Sequence, residues 1–165
     1  MNCAIISTGF ESNIKCQNES ERPYTDLKDV LRNKLWELFT EGYTDFYVNC
    51  EWGIPLWAAE VISALKMYNN IGLHIVVPYE EQSVRWSEDR RDRYYTVHAK
   101  ADTVTFAERA YTDKSYEAAD IEMIDGIDRV IIFSVDTKVK CHAEKIAAKL
   151  NVDTKVIDLS NLVTY

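Results

Sequence analysis

The chain has 165 residues, 47% of them hydrophobic, which is the size of one domain and enough apolar material for one packed core. Its 19 basic and 27 acidic side chains leave a net charge of −8, and a surface of that sign repels the phosphate backbones of DNA and RNA. No apolar run approaches the roughly 20 residues needed to span a bilayer, so neither nucleic acid nor membrane is expected as a partner.

Strands and helices are predicted to alternate along the whole chain. The first strand is Cys3–Ser7, ending in Thr8-Gly9, and a polar stretch without periodicity follows from Glu11 to Pro23. The first helix, about Thr25–Glu41, carries Leu27, Leu31, Leu35 and Leu38 on one face. Gly42 stands just past its end, where glycine is favoured. A second strand, Asp45–Asn49, leads through a short turn to a helix from Pro55 to about Tyr68 that is apolar nearly all round and should lie deeply buried.

The third strand, Leu73–Val77, is expected to stop at Pro78. A charged helix over about Glu81–Ala99 follows, with Arg85, Asp89 and Arg93 forming an i, i+4 ladder on a solvated face. A short strand, Thr103–Phe106, and a helix, about Tyr116–Gly126, come next. The fifth strand, Val130–Val135, is the most hydrophobic. The last helix, Val139–Leu150, should bury Val139, Ala143, Ile146, Ala147 and Leu150, and a final strand, Lys155–Leu159, should end the sheet, its direction and place left open.

Strands separated by helices this long cannot be hairpins; they are joined by right-handed crossovers in a parallel sheet. The expected architecture is therefore one domain over residues 1–165, a three-layer Rossmann-like α/β fold with a mostly parallel sheet. Cys3, Cys16, Cys50 and Cys141 are scattered, with no CxxC and no ligand spacing, so neither a metal nor a cofactor is expected. The opening strand lacks a basic leader, and unpaired thiols suit a reducing compartment, so a cytoplasmic location is expected.

The segment richest in chemistry is Asp45 to Glu60, a buried strand, a turn ending at Gly53, and a helix opened by Pro55. Proline suits the first helical position because its missing N–H would be an orphan there. Gly53 lets the backbone turn sharply and approach a ligand closely. Such a helix N-terminus, at the carboxyl edge of a sheet, favours an anion such as a phosphate.

Gly53-x-x-Leu56-Trp57-Ala58-Ala59-Glu60 after a strand resembles the YpsA-like family of the SLOG superfamily, which also holds the LOG phosphoribohydrolases and the DprA/Smf proteins. Further segments fall in the same order: Thr8-Gly9-Phe10, Pro78-Tyr79 with Gln82 and Trp86, Arg93-Tyr94 before Ala101-Asp102, Tyr111, and Met123 to Asp128. The resemblance implies a Rossmann-like fold that binds a nucleotide or nucleotide-derived ligand, of the ADP-ribose or nucleotide-sugar type, without implying a reaction. The departures from the family pattern concentrate at the expected anion site. Cys50 stands for a glycine in the turn, Glu11 for a basic residue, Ala119-Asp120 for an Arg-Asn pair before the fourth helix, and Asp136 to Lys140 for a Gly-Gly-Thr turn. Lys138 and Lys140 restore charge there only as flexible point charges.

The candidate ligand-binding residues are Thr8, Gly9, Phe10, Cys50, Glu51, Trp52, Gly53 and Glu60; no catalytic residue is nominated. Glu60 suits a ribose hydroxyl or a general base, or else simply faces the helix dipole. Trp52 suits base stacking, Trp57 the core, and Trp86 packing or a lid. Cys50 is reactive if its thiol pKa is lowered and inert if buried. His74 reads as a hydrogen-bonded core residue, and His98 and His142 have no partner spacing. The leading expectation is a binder or sensor of a nucleotide-like small molecule. The alternatives are a nucleotide N-glycosidic hydrolase related to the LOG proteins, whose Pro-Gly-Gly-x-Gly-Thr-x-x-Glu motif this chain lacks, and a degenerate member acting through protein contacts. A homodimer is expected because the second helix has more apolar surface than one sheet face covers, with Trp36 and Phe39 adding to it.

Overall fold

A computed structural model describes residues 1–8 and 18–162. Six strands form one sheet: β1 (Asn2–Thr8), β2 (Asp45–Val48), β3 (Gly72–Tyr79), β4 (Thr103–Glu108), β5 (Arg129–Ser134) and β6 (Asp153–Asp158). Among the described residues five α-helices connect them: α1 (Tyr24–Thr40), α2 (Ile54–Lys66), α3 (Glu88–Lys100), α4 (Ser115–Ile124) and α5 (His142–Lys149). The strand order is β4-β3-β2-β1-β5-β6 and every pairing is parallel, so β6 takes an outer edge beside β5.

The period of two in the strand sequences divides the core between the two faces. Cys3 and Ile5 of β1, with Ile131 and Phe133 of β5, face α1, α2 and α3. Ala4, Ile6, Val130 and Ile132 face α4 and α5 instead. The leucine stripe of α1 is wholly buried, each residue contributing roughly 1.5–3 kcal/mol of transfer free energy. Helix α2 lies on the sheet between α1 and α3, which is why it tolerates an apolar surface nearly all round.

Beyond shifts of about two residues, as at β4 and β6, three boundaries differ from the sequence reading in ways that move side chains. Strand β3 passes through Pro78 to Tyr79. Its pairing with β2 ends at Ile75, and its register with β4 goes from Val77–Phe106 to Tyr79–Glu108, so the missing N–H interrupts little. Helix α3 starts only at Glu88, because the chain from Tyr79 to Trp86 makes successive turns, among them Gln82 N–H to Tyr79 O at 3.1 Å and Trp86 N–H to Ser83 O at 3.0 Å. Arg85 is therefore off the helix, and the expected charge ladder does not form as such. Helix α5 starts at His142, where Cys141 N–H donates to the Glu144 carboxylate at 2.8 Å. Val139 lies ahead of that cap and is 69% exposed, and Leu150, past the last turn, is exposed too, so neither is buried as expected.

At the amino edge of the sheet, His74 bonds Asp45 Oδ1 at 3.1 Å and Thr103 Oγ1 at 2.8 Å and stacks on Tyr47. Gly72 leaves the room for this arrangement, since a methyl group there would run into the Asp45 carboxylate. The bond from His74 holds the Asp45 carboxyl below its ordinary range.

Candidate functional site

Ligands of open α/β sheets bind outside the carboxyl ends of the strands. Here the chain runs from β1 through β2 and β3 to β4, then returns to the other side of β1 for β5, so the switch point lies between β1 and β5. Thr8 and Ser134 end those two strands, and their hydroxyl oxygens are 3.0 Å apart. Ser134 Oγ also donates to Asp136 O at 2.9 Å. Gly9 and Phe10, two of the expected ligand residues, lie outside the described residues, as do Glu11 and Cys16.

The turn after β2 is built by its own side chains and two unusual backbone conformations. Asn49 Oδ1 accepts from Glu51 N–H at 3.0 Å, closing a local Asx turn. Cys50 has φ +52° and Gly53 has φ +109°, both in the left-handed half of the map. Glycine is required at the second position, where ψ is −139°, a combination almost closed to side chains. Leu56 N–H then donates to Glu51 O at 3.2 Å, starting α2 with Pro55 in its first turn.

The nominated side chains divide. Cys50 is wholly buried and packs into the core under α2, so its side chain does not stand where a phosphate would meet backbone. Burial, and then the charge of Glu60, push its thiol pKa well above the ordinary value, the opposite of a reactive cysteine. Gly53 is buried as well. Glu60 is engaged: Arg93 Nε donates to its Oε1 at 2.6 Å and Arg93 Nη2 to its Oε2 at 2.8 Å, a bidentate fork between α2 and α3. The third nitrogen, Nη1, donates to Glu19 Oε1 at 2.7 Å. Against the upward pull of partial burial, the bonds from Arg93 and Lys28 hold Glu19 below the usual carboxylate range. Arg93 is thus turned inward and not part of a solvated face. Trp52 packs edge-on against Trp57 and Trp86, with the guanidinium groups of Arg90 and Arg93 at 4.1 and 5.0 Å from its ring centre. Trp57 is a core residue.

A cavity of about 450 Å3 opens at the carboxyl ends of β3 and β4, with Tyr79, Gln82, Arg85, Trp86 and Tyr111 in its walls. Its volume falls in the ordinary range of small-molecule sites, roughly 300–1,000 Å3. Gln82 joins this cavity to the β2 turn, because its Nε2 donates to Asn49 O at 3.2 Å. Tyr116 packs edge-on against Tyr79, 6.2 Å between ring centres. The charge of Glu51 reaches both Tyr116 and Asp120. Burial raises Glu51, and burial together with the charges of Glu51 and Glu117 pushes Asp120 up to about 7.

Asp120, Tyr116, Arg93 and the walls of the cavity were not among the nominated ligand residues, although Trp86 was weighed as a lid and Asp120 stood among the departures at the expected anion site. Ala119 and Asp120 sit inside α4 and not ahead of it, Ala119 buried and Asp120 within reach of the charge of Glu51. An acid on a short helix carries no local sign of such a neighbour. Tyr79, Gln82, Trp86 and Tyr111 had one signal, their order in the family pattern. Among the described residues no group of three His, Cys, Asp or Glu side chains is placed to hold a metal ion, and no helix is long and apolar enough to cross a membrane.

Comparison with known proteins agrees with this arrangement of elements and motifs. The YpsA model, described as the YspA SLOG family, matches residues 5–162. A UPF0398 protein of Macrococcus caseolyticus is 28% identical over 138 residues, covering 81% of this chain and 74% of that protein. One from Lysinibacillus sphaericus is 32% identical over 93 residues, 56% of this chain and 50% of the relative. One from Halalkalibacterium halodurans is 30% identical over 115 residues, 68% and 59% respectively. The match thus spans between half and three quarters of these relatives' length. The chain belongs to the YpsA family of SLOG proteins.

Proposed function

We propose that this chain is a binding or sensor domain for a nucleotide or nucleotide-derived small molecule of the ADP-ribose or nucleotide-sugar type, held at the carboxyl edge of its sheet. The observation that carries the reading is the 450 Å3 cavity at that edge, tied through Gln82 to the turn that opens α2. Aromatic walls suit a planar base, and a helix start next to them suits a phosphate. Thermal-shift screening against nucleotides, ADP-ribose, NAD and nucleotide sugars tests it. A ligand present at 100 times its Kd stabilises the folded state by about 2.7 kcal/mol. No shift across the panel would remove the reading and favour a role in protein contacts.

One observation favours hydrolysis of an N-glycosidic bond as the second reading. Asp120, pushed up to about 7 by burial and by the charges of Glu51 and Glu117, is a carboxylic acid still partly protonated near neutral pH. A carboxylic acid that keeps its proton near neutral pH is suited to act as a general acid. Product analysis of any ligand that binds decides it: turnover lost in Asp120→Asn with binding retained supports hydrolysis, and binding without products rules for the sensor.

A further inference from the structure

We propose that Lys155 is an acylation site, whose amine takes an acyl group directly from an acyl phosphate. The site lies apart from the cavity and does not depend on how the cavity is read.

Its setting is a cluster in which two lysines share one carboxylate oxygen. Lys34 Nζ of α1 stands 2.8 Å from Glu37 Oε1, and Lys155 Nζ of β6 stands 3.7 Å from the same atom. The sheet register explains the meeting. Lys155 pairs with Ile131 of β5, whose side chain belongs to the core on the α1 side, so Lys155 faces α1 as well. The neighbouring acids are already engaged: Arg129 of β5 donates to Glu41 Oε2 at 2.9 Å and to Asp153 Oδ2 at 2.5 Å. Glu37 is left to serve both lysines.

The two lysines are not equivalent. The Lys34 side chain is 7% exposed and holds the shorter contact, whereas that of Lys155 is 48% exposed and holds the longer one. One carboxylate cannot neutralise two ammonium groups, and a like charge nearby favours the neutral form of the less well paired amine. Against the pull of burial, the bond to Glu37 holds Lys34 above its ordinary range. Lys34 in turn holds Lys155 below its own, in spite of the charges of Glu37 and Glu41. A neighbouring cation is one of the ways in which a lysine amine becomes a nucleophile. The buried lysine activates, and the exposed one reacts.

In the reaction the neutral Lys155 amine attacks the acyl carbon of the acyl phosphate. An N–C bond forms, the C–O bond to phosphate breaks, phosphate leaves with the electron pair, and the amine gives up a proton to water. Lys34 and Glu37 remain as a simple ion pair, so the modified protein keeps that contact and loses the crowding of charge.

Incubation of the full chain with acetyl phosphate, stopped at low conversion and read by peptide mass spectrometry, tests the site. Lys155 should be acetylated about threefold or more faster than the exposed Lys100, Lys114, Lys138 and Lys140. In Lys34→Met, which keeps an unbranched side chain and removes its charge, that excess should disappear. Equal rates at Lys155 and the comparison lysines in the wild-type protein overturn the proposal, as does an excess that survives in Lys34→Met. If Lys34→Met does not fold, the pH dependence of the wild-type protein decides. The excess should shrink by about half between pH of about 7 and about 10, where every lysine begins to give up its proton. An excess that stays constant over that range marks accessibility alone and overturns the proposal.

Discussion

Of the two readings that its position allowed, reactive or buried, Cys50 takes the buried one. The turn needs a left-handed residue there, and φ +52° costs a side-chain-bearing residue roughly 1–2 kcal/mol relative to glycine. The thiol offsets part of that by filling the core under α2. Cys50→Gly should therefore be more stable than Cys50→Ala by about 1 kcal/mol, since both lose the thiol and only glycine relieves the backbone. Urea unfolding of the two variants measures the difference; an alanine variant as stable as the glycine one would mean that the backbone is unstrained. Asp120 makes a second residue-scale prediction. Its folded pKa is raised above the unfolded value, so between about 4 and 7 the native state binds more protons than the unfolded chain. Its contribution to stability is then present at low pH and declines as pH rises through 7. Asp120→Asn should remove that decline and be the more stable protein at pH 8 by about 1 kcal/mol or more. Unfolding midpoints from pH 5 to 8 on both proteins check it.

At the scale of elements, the Glu19–Arg93–Glu60 cluster joins three separate pieces of chain: the segment before α1, helix α2 and helix α3. The side chains are only about a quarter to a third exposed, so the bonds are less screened than a surface pair. Arg93→Ala should destabilise the protein by about 1.5–3 kcal/mol, the range for hydrogen bonds to charged groups. Arg93→Lys should recover less than half, because an ammonium cannot fork across both oxygens of Glu60 while also reaching Glu19. Chemical denaturation of the two variants tests this, and an Arg93→Lys variant as stable as the wild-type protein would show that charge alone matters. The same cluster explains a departure from the sequence reading. Asp89 and Arg93 still stand one turn apart on α3, but the Arg93 side chain turns to Glu60 of α2 and not to Asp89.

At the scale of the molecule, the expected homodimer has lost one of its grounds. The apolar surface of α2 that was to be shared with a second copy is covered within the chain by α1, α3 and the sheet. What remains is Trp36, 49% exposed, next to Phe39 on the outer side of α1. A C2 dimer through that patch should give twice the 19.1 kDa mass of one chain in light scattering at micromolar concentration, and Trp36→Glu should return it to one chain's mass. A wild-type mass of 19.1 kDa under those conditions would refute the dimer.

The alternation of strands and helices, the parallel sheet and the sharp turn into α2 were legible in the chain before any packing was known. Each follows from local rules: apolar periodicity, the length of the crossovers, and a glycine and a proline at positions that demand them. The family was legible too, through the order of motifs along the chain. Packing in three dimensions was needed to place β6 beside β5, to bring Arg93 to Glu60, to turn Cys50 into the core and to bring Asp120 within reach of the charge of Glu51. Those are relations between residues far apart in the chain, and no local pattern encodes the distance or the burial on which an ion pair or a shifted pKa depends. The cavity is mostly local, its walls coming from the stretch 79–86, and the pairing of β3 with β4 adds Tyr111 to them.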